Sequence, residues 1–114
     1  MSRKSLYRRA WKLQAAYILA RDGACVTCGA TSGLVPGHFK HGTGDFDERN
    51  INAQCGVCNS FLNGNPDKYR TYMMARWGRE TVEEIERSRH APHKYTAEKL
   101  EQIIAKYKRG NYED

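Results

Sequence analysis

Cys25-Val26-Thr27-Cys28 and, after twenty-six intervening residues, Cys55-Gly56-Val57-Cys58 together decide how this chain folds. They hold all four of its cysteines. Two residues between the cysteines of a pair let both thiolates reach one ion, and two such knuckles complete a tetrahedral four-thiolate zinc site. A site of that kind is coordinatively closed, so it holds the chain together and does no chemistry. The competing reading is two disulfides or free buried thiols. No apolar run approaches the roughly 18 residues of a membrane span, and the N-terminus lacks the apolar segment of a secretory signal. The chain is therefore expected in the cytosol, with no membrane partner, where paired cysteines are read as metal ligands first.

Between the knuckles the sequence breaks into short segments rich in Gly, Thr and Val. Leu34-Val-Pro-Gly-His38-Phe39 and Asn50-Ile-Asn-Ala-Gln54 read as two short strands, and Lys40 to Arg49, with Gly42, Gly44 and three acids, as the loop joining them. Cys55 to Leu62 reads as one short helix. Outward from this core the period becomes helical. Leu6, Ala10, Leu13, Tyr17 and Ala20 recur at three- and four-residue steps over Ser5 to Asp22, and Gly23 supplies a stop. On the other side, Asn65 and Pro66 form a cap and a first helical position, opening a helix with Tyr69, Met73 and Trp77 on one face and Gly78 at its end. Arg79 to Arg89 continues as another helix, and His90 and His93 flank a linker with no second metal site expected. Thr96 caps a last helix, with Tyr95 and Leu100 as a hydrophobic staple, Leu100, Ile103, Ile104 and Tyr107 as its buried face, and Gly110 as its end. The fold class is α+β. A chain of 114 residues has the size of one domain, so a single unit over 1–114 is expected: a basic helix (1–22), a zinc-bound core (23–65) and a helical extension (66–114).

A formal net charge of +6 favours a polyanionic partner, of which nucleic acid is the commonest. Its distribution says more than its sum. Residues 1–21 carry six basic side chains and no acidic one, whereas residues 22–65 carry two basic and four acidic. Lys4, Arg8 and Lys12 follow one another at four-residue steps, so on a helix they line up as one ridge, with Arg9 beside it. Such a ridge can track a DNA backbone or merely solvate an exposed face.

His38 in a predicted strand, Asn50 five residues before Cys55, and Asn59 directly after Cys58 stand in the layout of the HNH, or ββα-metal, nucleases. The stretch from Asn50 to Asn59 resembles their Asn-Leu-x-x-Leu-Cys-x-x-Cys-His/Asn signature. The likeness extends to the NinG (Rap) recombination proteins of lambdoid phages through Gly37-His38-Phe39, Phe46-Asp47-Glu48 to Asn50, Gln54-Cys55-x-x-Cys58-Asn59, and Leu62-x-Gly64-Asn65-x-x-x-Tyr69-Arg70. It covers roughly residues 22 to 88, the helices around Trp77-Gly78 to Glu86 included. The residue before His38 is Gly37, where the usual His-His or Asp-His pair has its first member. The sequence resembles instead the Gly-His arrangement of one-metal nucleases, in which an Asn is the main protein ligand to the metal.

The resemblance implies a zinc-stapled ββα-metal (HNH-like) core flanked by helices, and a metal-dependent DNA endonuclease acting on branched intermediates such as Holliday junctions. It implies His38 as general base, since neutral imidazole can take water's proton at physiological pH. His41, placed by strand alternation on the opposite face, is the competing base. Asn59 offers a carbonyl oxygen suited to catalytic Mg²⁺ or Mn²⁺, and Asn63, one helical turn on, is a candidate second ligand. Asn50 is assigned to orienting His38 or bracing the loop. Asp45 and Asp47 read as solvated loop residues rather than metal ligands. Lys4, Arg8, Arg9 and Lys12 would contact DNA, and a homodimer would suit symmetric cutting. Two rival classes stay open. One is a noncatalytic zinc-ribbon DNA-binding protein that lacks the first metal ligand at Gly37. The other is a basic RNA-binding module, which would need exposed aromatics for stacking, whereas the tyrosines and tryptophans fall mostly on predicted core faces.

Overall fold

The computed structural model describes residues 1–88 and 94–109, so the linker around His90 and His93 and the ends at Arg89 and Gly110 lie outside the described residues. Helix α1 (Arg3–Asp22) starts two residues earlier than Ser5, because the Ser2 hydroxyl accepts from the Ser5 backbone N–H at 3.1 Å and caps it. Gly23, at φ +68°, ends it and donates back to the Leu19 carbonyl. Strands β1 (Leu34–His38) and β2 (Ile51–Cys55) form a two-stranded antiparallel sheet in which His38 pairs with Ile51 and Leu34 with Cys55. A π-turn over Val57–Phe61 follows, then α2 (Pro66–Trp77), α3 (Arg79–Ser88) and α4 (Ala97–Arg109). The protein is thus α+β, a small sheet among helices.

Strand β2 is buried at all five positions, including Asn52 and Gln54. One face of a hairpin normally meets water. Here α1 packs on both strands, while Tyr69 and Met73 of α2 meet Asn52 from β2. Burial of these amides is tolerated because they are bonded: Asn52 donates to the Arg49 carbonyl at 3.0 Å and to the Tyr69 hydroxyl at 3.1 Å. Asp22, at the end of α1, ties the same elements together. Its carboxylate accepts from Arg21, from the Ala53 backbone and from Arg76 of α2. Burial opposes its charge, but these donors outweigh it and hold the carboxyl below the usual range.

Two apolar clusters flank the sheet. Phe39, Tyr69, Met73, Val82 and Ile85 join the end of β1 to α2 and α3, with Met74 and Trp77 packed against them. Leu6, Ala10 and Leu100 join α1 to α4, and Tyr95 packs there beside the Thr96 cap, as the staple requires. The stripe of α1 turns further than its apolar spacing suggests: Gln14 and Ile18 are buried, Ala20 is exposed and Tyr17 is half-buried. The Gln14 amide is satisfied there by donating to the Asp45 carbonyl at 2.7 Å. Asn65 does precede α2, but at φ +50° its side chain makes no capping bond and instead lies 3.7 Å from the Cys58 sulfur.

Candidate metal centres and the His38 site

The two knuckles meet. The four sulfurs lie within 4.8 Å of one another, and those of Cys28 and Cys55 are 3.6 Å apart. That is far beyond the ~2.05 Å of a disulfide and close to the roughly 3.8 Å edge of a tetrahedron built on 2.3 Å Zn–S bonds. Burial opposes the charged form of Cys25, but bonds from Thr27 and the Cys55 backbone outweigh it and bring the thiol down to about 6. Cys28 goes the other way, up to about 12: its Ala30 bond favours the thiolate, but the sulfurs of Cys25 and Cys55 prevail against it. Four cysteine sulfurs this close could hold one metal ion, and the donor set is one that zinc favours. Among the described residues this is the one cluster of three or more His, Cys, Asp or Glu side chains placed to hold a metal.

His38, at the end of β1, is clamped on three sides. Trp11 of α1 stacks on one face of its ring at 5.4 Å and 13°, and His41 stacks on the ring at 5.1 Å and 25°. Its Nε2 meets Asp45 Oδ1 at 2.9 Å, while the other oxygen of Asp45 accepts from the Tyr7 hydroxyl. Burial, and then the neighbouring His41, bring His38 down to about 4, and burial raises the Asp45 carboxyl. Both shifts favour a hydrogen bond of neutral imidazole over an ion pair, and in the tautomer that donates Nε2–H to Asp45 the other nitrogen, Nδ1, keeps its lone pair.

Several sequence expectations change here. Strand pairing stops at His38, so alternation no longer governs His41, which curls back onto the same ring rather than lying on the opposite face. Asp45 leaves the solvated loop to hold His38. Asp47 stays in the loop, gripping Arg49 through both carboxylate oxygens. Asn50 braces that loop: it accepts from the Lys40 N–H and donates to the carbonyls of Lys40, Thr43 and Gly44. Its bonds run to the loop backbone and not to His38. Asn59 sits half-buried in the π-turn, whose Leu62 N–H reaches back to the Val57 carbonyl. Asn63 lies beyond that turn at φ +50°, exposed, so the two asparagines do not share a helix face. His38 and Asn63 nevertheless line one cavity of about 280 Å³, with Lys40, His41 and Tyr69.

Lys4, Arg8 and Lys12 are exposed, and Arg9 is half-buried. Lys4 and Arg8 line a second cavity of about 500 Å³ with Arg3, Lys94, Tyr7 and Asp45. The basic ridge therefore borders the residues that hold His38. Tyr7, Trp11 and Asp45 were missed as site residues. The four-residue step from Tyr7 to Trp11, an aromatic pair just beside the apolar stripe, was the available signal.

The family model for the Bacteriophage Lambda NinG protein matches residues 2–112. The chain belongs to the NinG family. It is 41% identical over 93 residues to the protein ninG of Escherichia phage 933W, covering 76% of this chain and 46% of that one. It is 39% identical, also over 93 residues, to the ninG proteins of Escherichia phage lambda and Salmonella phage P22, covering 76% of this chain and 45% of each. The chain thus spans less than half the length of these curated relatives. No solved structure matches it significantly. Among the described residues, no helix is long and apolar enough to cross a membrane.

Proposed function

We propose that this NinG-family chain is a metal-dependent endonuclease that hydrolyses DNA phosphodiesters with His38 as general base. The observation that carries the reading is the clamp on His38, an imidazole that burial keeps neutral, with Nε2 on Asp45, at the wall of a cavity. Phosphodiester hydrolysis needs an activated water and a cation that neutralises charge building on the leaving oxygen. Nδ1 of His38 takes water's proton. Asn59 offers a neutral oxygen suited to Mg²⁺ or Mn²⁺. The order of hairpin, knuckle and turn carrying Asn59 supports an HNH-like core within one domain, and the resemblance of its motifs supports branched DNA as substrate in the host cytosol, for whose symmetric cutting a homodimer would be suited. Zinc fits the cysteine cluster as the structural ion.

The noncatalytic zinc-ribbon reading is favoured by one observation, that Gly37 presents no ligand. The pH profile of single-turnover cleavage at saturating metal tests the base directly. Because His38 stays neutral down to about pH 4, no acid limb is expected at 6.5, the ordinary imidazole value. A limb at 6.5 would mean that the proton acceptor is an unburied group.

The ridge on α1 makes a separate prediction. Replacing Lys4, Arg8 and Lys12 by Gln should weaken binding to every DNA alike and flatten its salt dependence by roughly 0.9 log units per lost phosphate contact. Titrations between low and moderate salt decide it, since an unchanged slope would leave the ridge a solvated face.

A further inference from the structure

Gln54 is fully buried on β2, and its amide can point only one way. The Gly64 carbonyl, which can only accept, takes a bond of 2.9 Å from Nε2, and Thr27 Oγ1 takes another at 3.2 Å. Oε1 is thereby turned away from both, and it has no hydrogen-bond partner among the described residues. It faces Gly37. A Cβ built on Gly37 would lie 2.1 Å from Gln54 Oε1 and 3.1 Å from Asn59 Oδ1. Gln54 Oε1, from the strand, therefore already occupies the space that a side chain at position 37 would need, with Asn59 Oδ1, from the π-turn, beside it.

A buried carbonyl oxygen without a donor is costly to keep, and an amide oxygen is a hard ligand of the kind divalent Mg²⁺ and Mn²⁺ take. We propose that Gln54 Oε1 and Asn59 Oδ1 together hold the divalent cation, Gln54 supplying from β2 the oxygen that Gly37 cannot. The proposal rests on the reading of the chain as a metal-dependent nuclease. It also explains why position 37 is glycine, since any side chain would displace the amide. Thr27 Oγ1 is 3.2 Å from the Cys25 sulfur, so the cysteine cluster presets the orientation of Gln54. Both ligands are neutral, which leaves most of the cation's shell to water and to DNA phosphate.

The first test uses the unmutated protein. Substoichiometric Mn²⁺ added to ¹⁵N-labelled, zinc-loaded protein without DNA should broaden the side-chain amide resonances of Gln54 and Asn59 before any others. The Asn59→Asp protein, carrying zinc and a native NMR spectrum, should bind Mn²⁺ about tenfold more tightly, because it adds a charge to a neutral set. Broadening centred on Asp45 or Asp47, or no local broadening, would overturn the proposal, as would unchanged Mn²⁺ affinity in Asn59→Asp. Its failure is separable from that of the nuclease reading. A protein that cuts DNA but shows no broadening at Gln54 sinks the ligand assignment, whereas one that broadens there and cuts nothing sinks the nuclease.

Discussion

Replacing His38 by alanine is expected to lower the cleavage rate by roughly two to four orders of magnitude, the usual contribution of general acid–base catalysis, while zinc content and DNA affinity stay near wild type. The ring touches Trp11, His41 and Asp45, and none of these is a cysteine or a member of the exposed basic ridge. Losing it therefore leaves the knuckles and the ridge as they were. His41→Ala separates the two imidazoles. His41 is exposed, and its stacking on His38 only adds to what burial already does to that ring, so its removal should cost far less. A fully active His38→Ala protein would sink the mechanism, and an equal loss in His41→Ala would transfer the role to that residue.

The second large effect is on folding. Cys25→Ser and Cys58→Ser proteins should be poorly soluble or partly unfolded, because a structural zinc contributes folding free energy directly, of order 10 kcal/mol in small zinc domains. Among the described residues, the apolar side chains packed against the buried cysteines are the partly buried Ala30 and Leu34, and residues 24–33 contain neither helix nor strand. The knuckles also set the neighbouring site: Cys25 borders Thr27, and the Asn65 amide lies against Cys58. Metal analysis should give one zinc per chain for wild type. A stable, zinc-free, active Cys58→Ser protein would refute the account. Asn59→Ala differs in kind, keeping zinc and losing the response to Mg²⁺.

What could be read from the sequence was whatever depends on near neighbours along the chain. The paired cysteines, the glycine stops at Gly23 and Gly78, the Thr96 cap with its staple and the hairpin are local signals, and the structure has all of them. What could not be read depends on approach through space. Asp45 is seven residues from His38 and thirty-eight from Tyr7, and only the return of the loop onto α1 brings the three together. The buried face of α1 is set by where α4 docks, which turns Ile18 and Gln14 inward in place of Ala20. The π-turn widens the helix after Cys55 and takes Asn63 off the face of Asn59, a change that an ideal 3.6-residue period cannot anticipate. Gln54 read as an ordinary strand residue because nothing local marks that both faces of β2 are covered.

The central claim is that this chain cuts DNA with a divalent metal. Its most direct test incubates zinc-loaded protein with a labelled four-way junction and a linear duplex of the same sequence, with Mg²⁺ or Mn²⁺ and with EDTA in parallel. The account predicts strand cleavage in the metal-containing samples alone, faster on the junction than on the duplex. Binding of both DNAs without cleavage under any metal would contradict it and leave a zinc-stapled DNA-binding protein in its place.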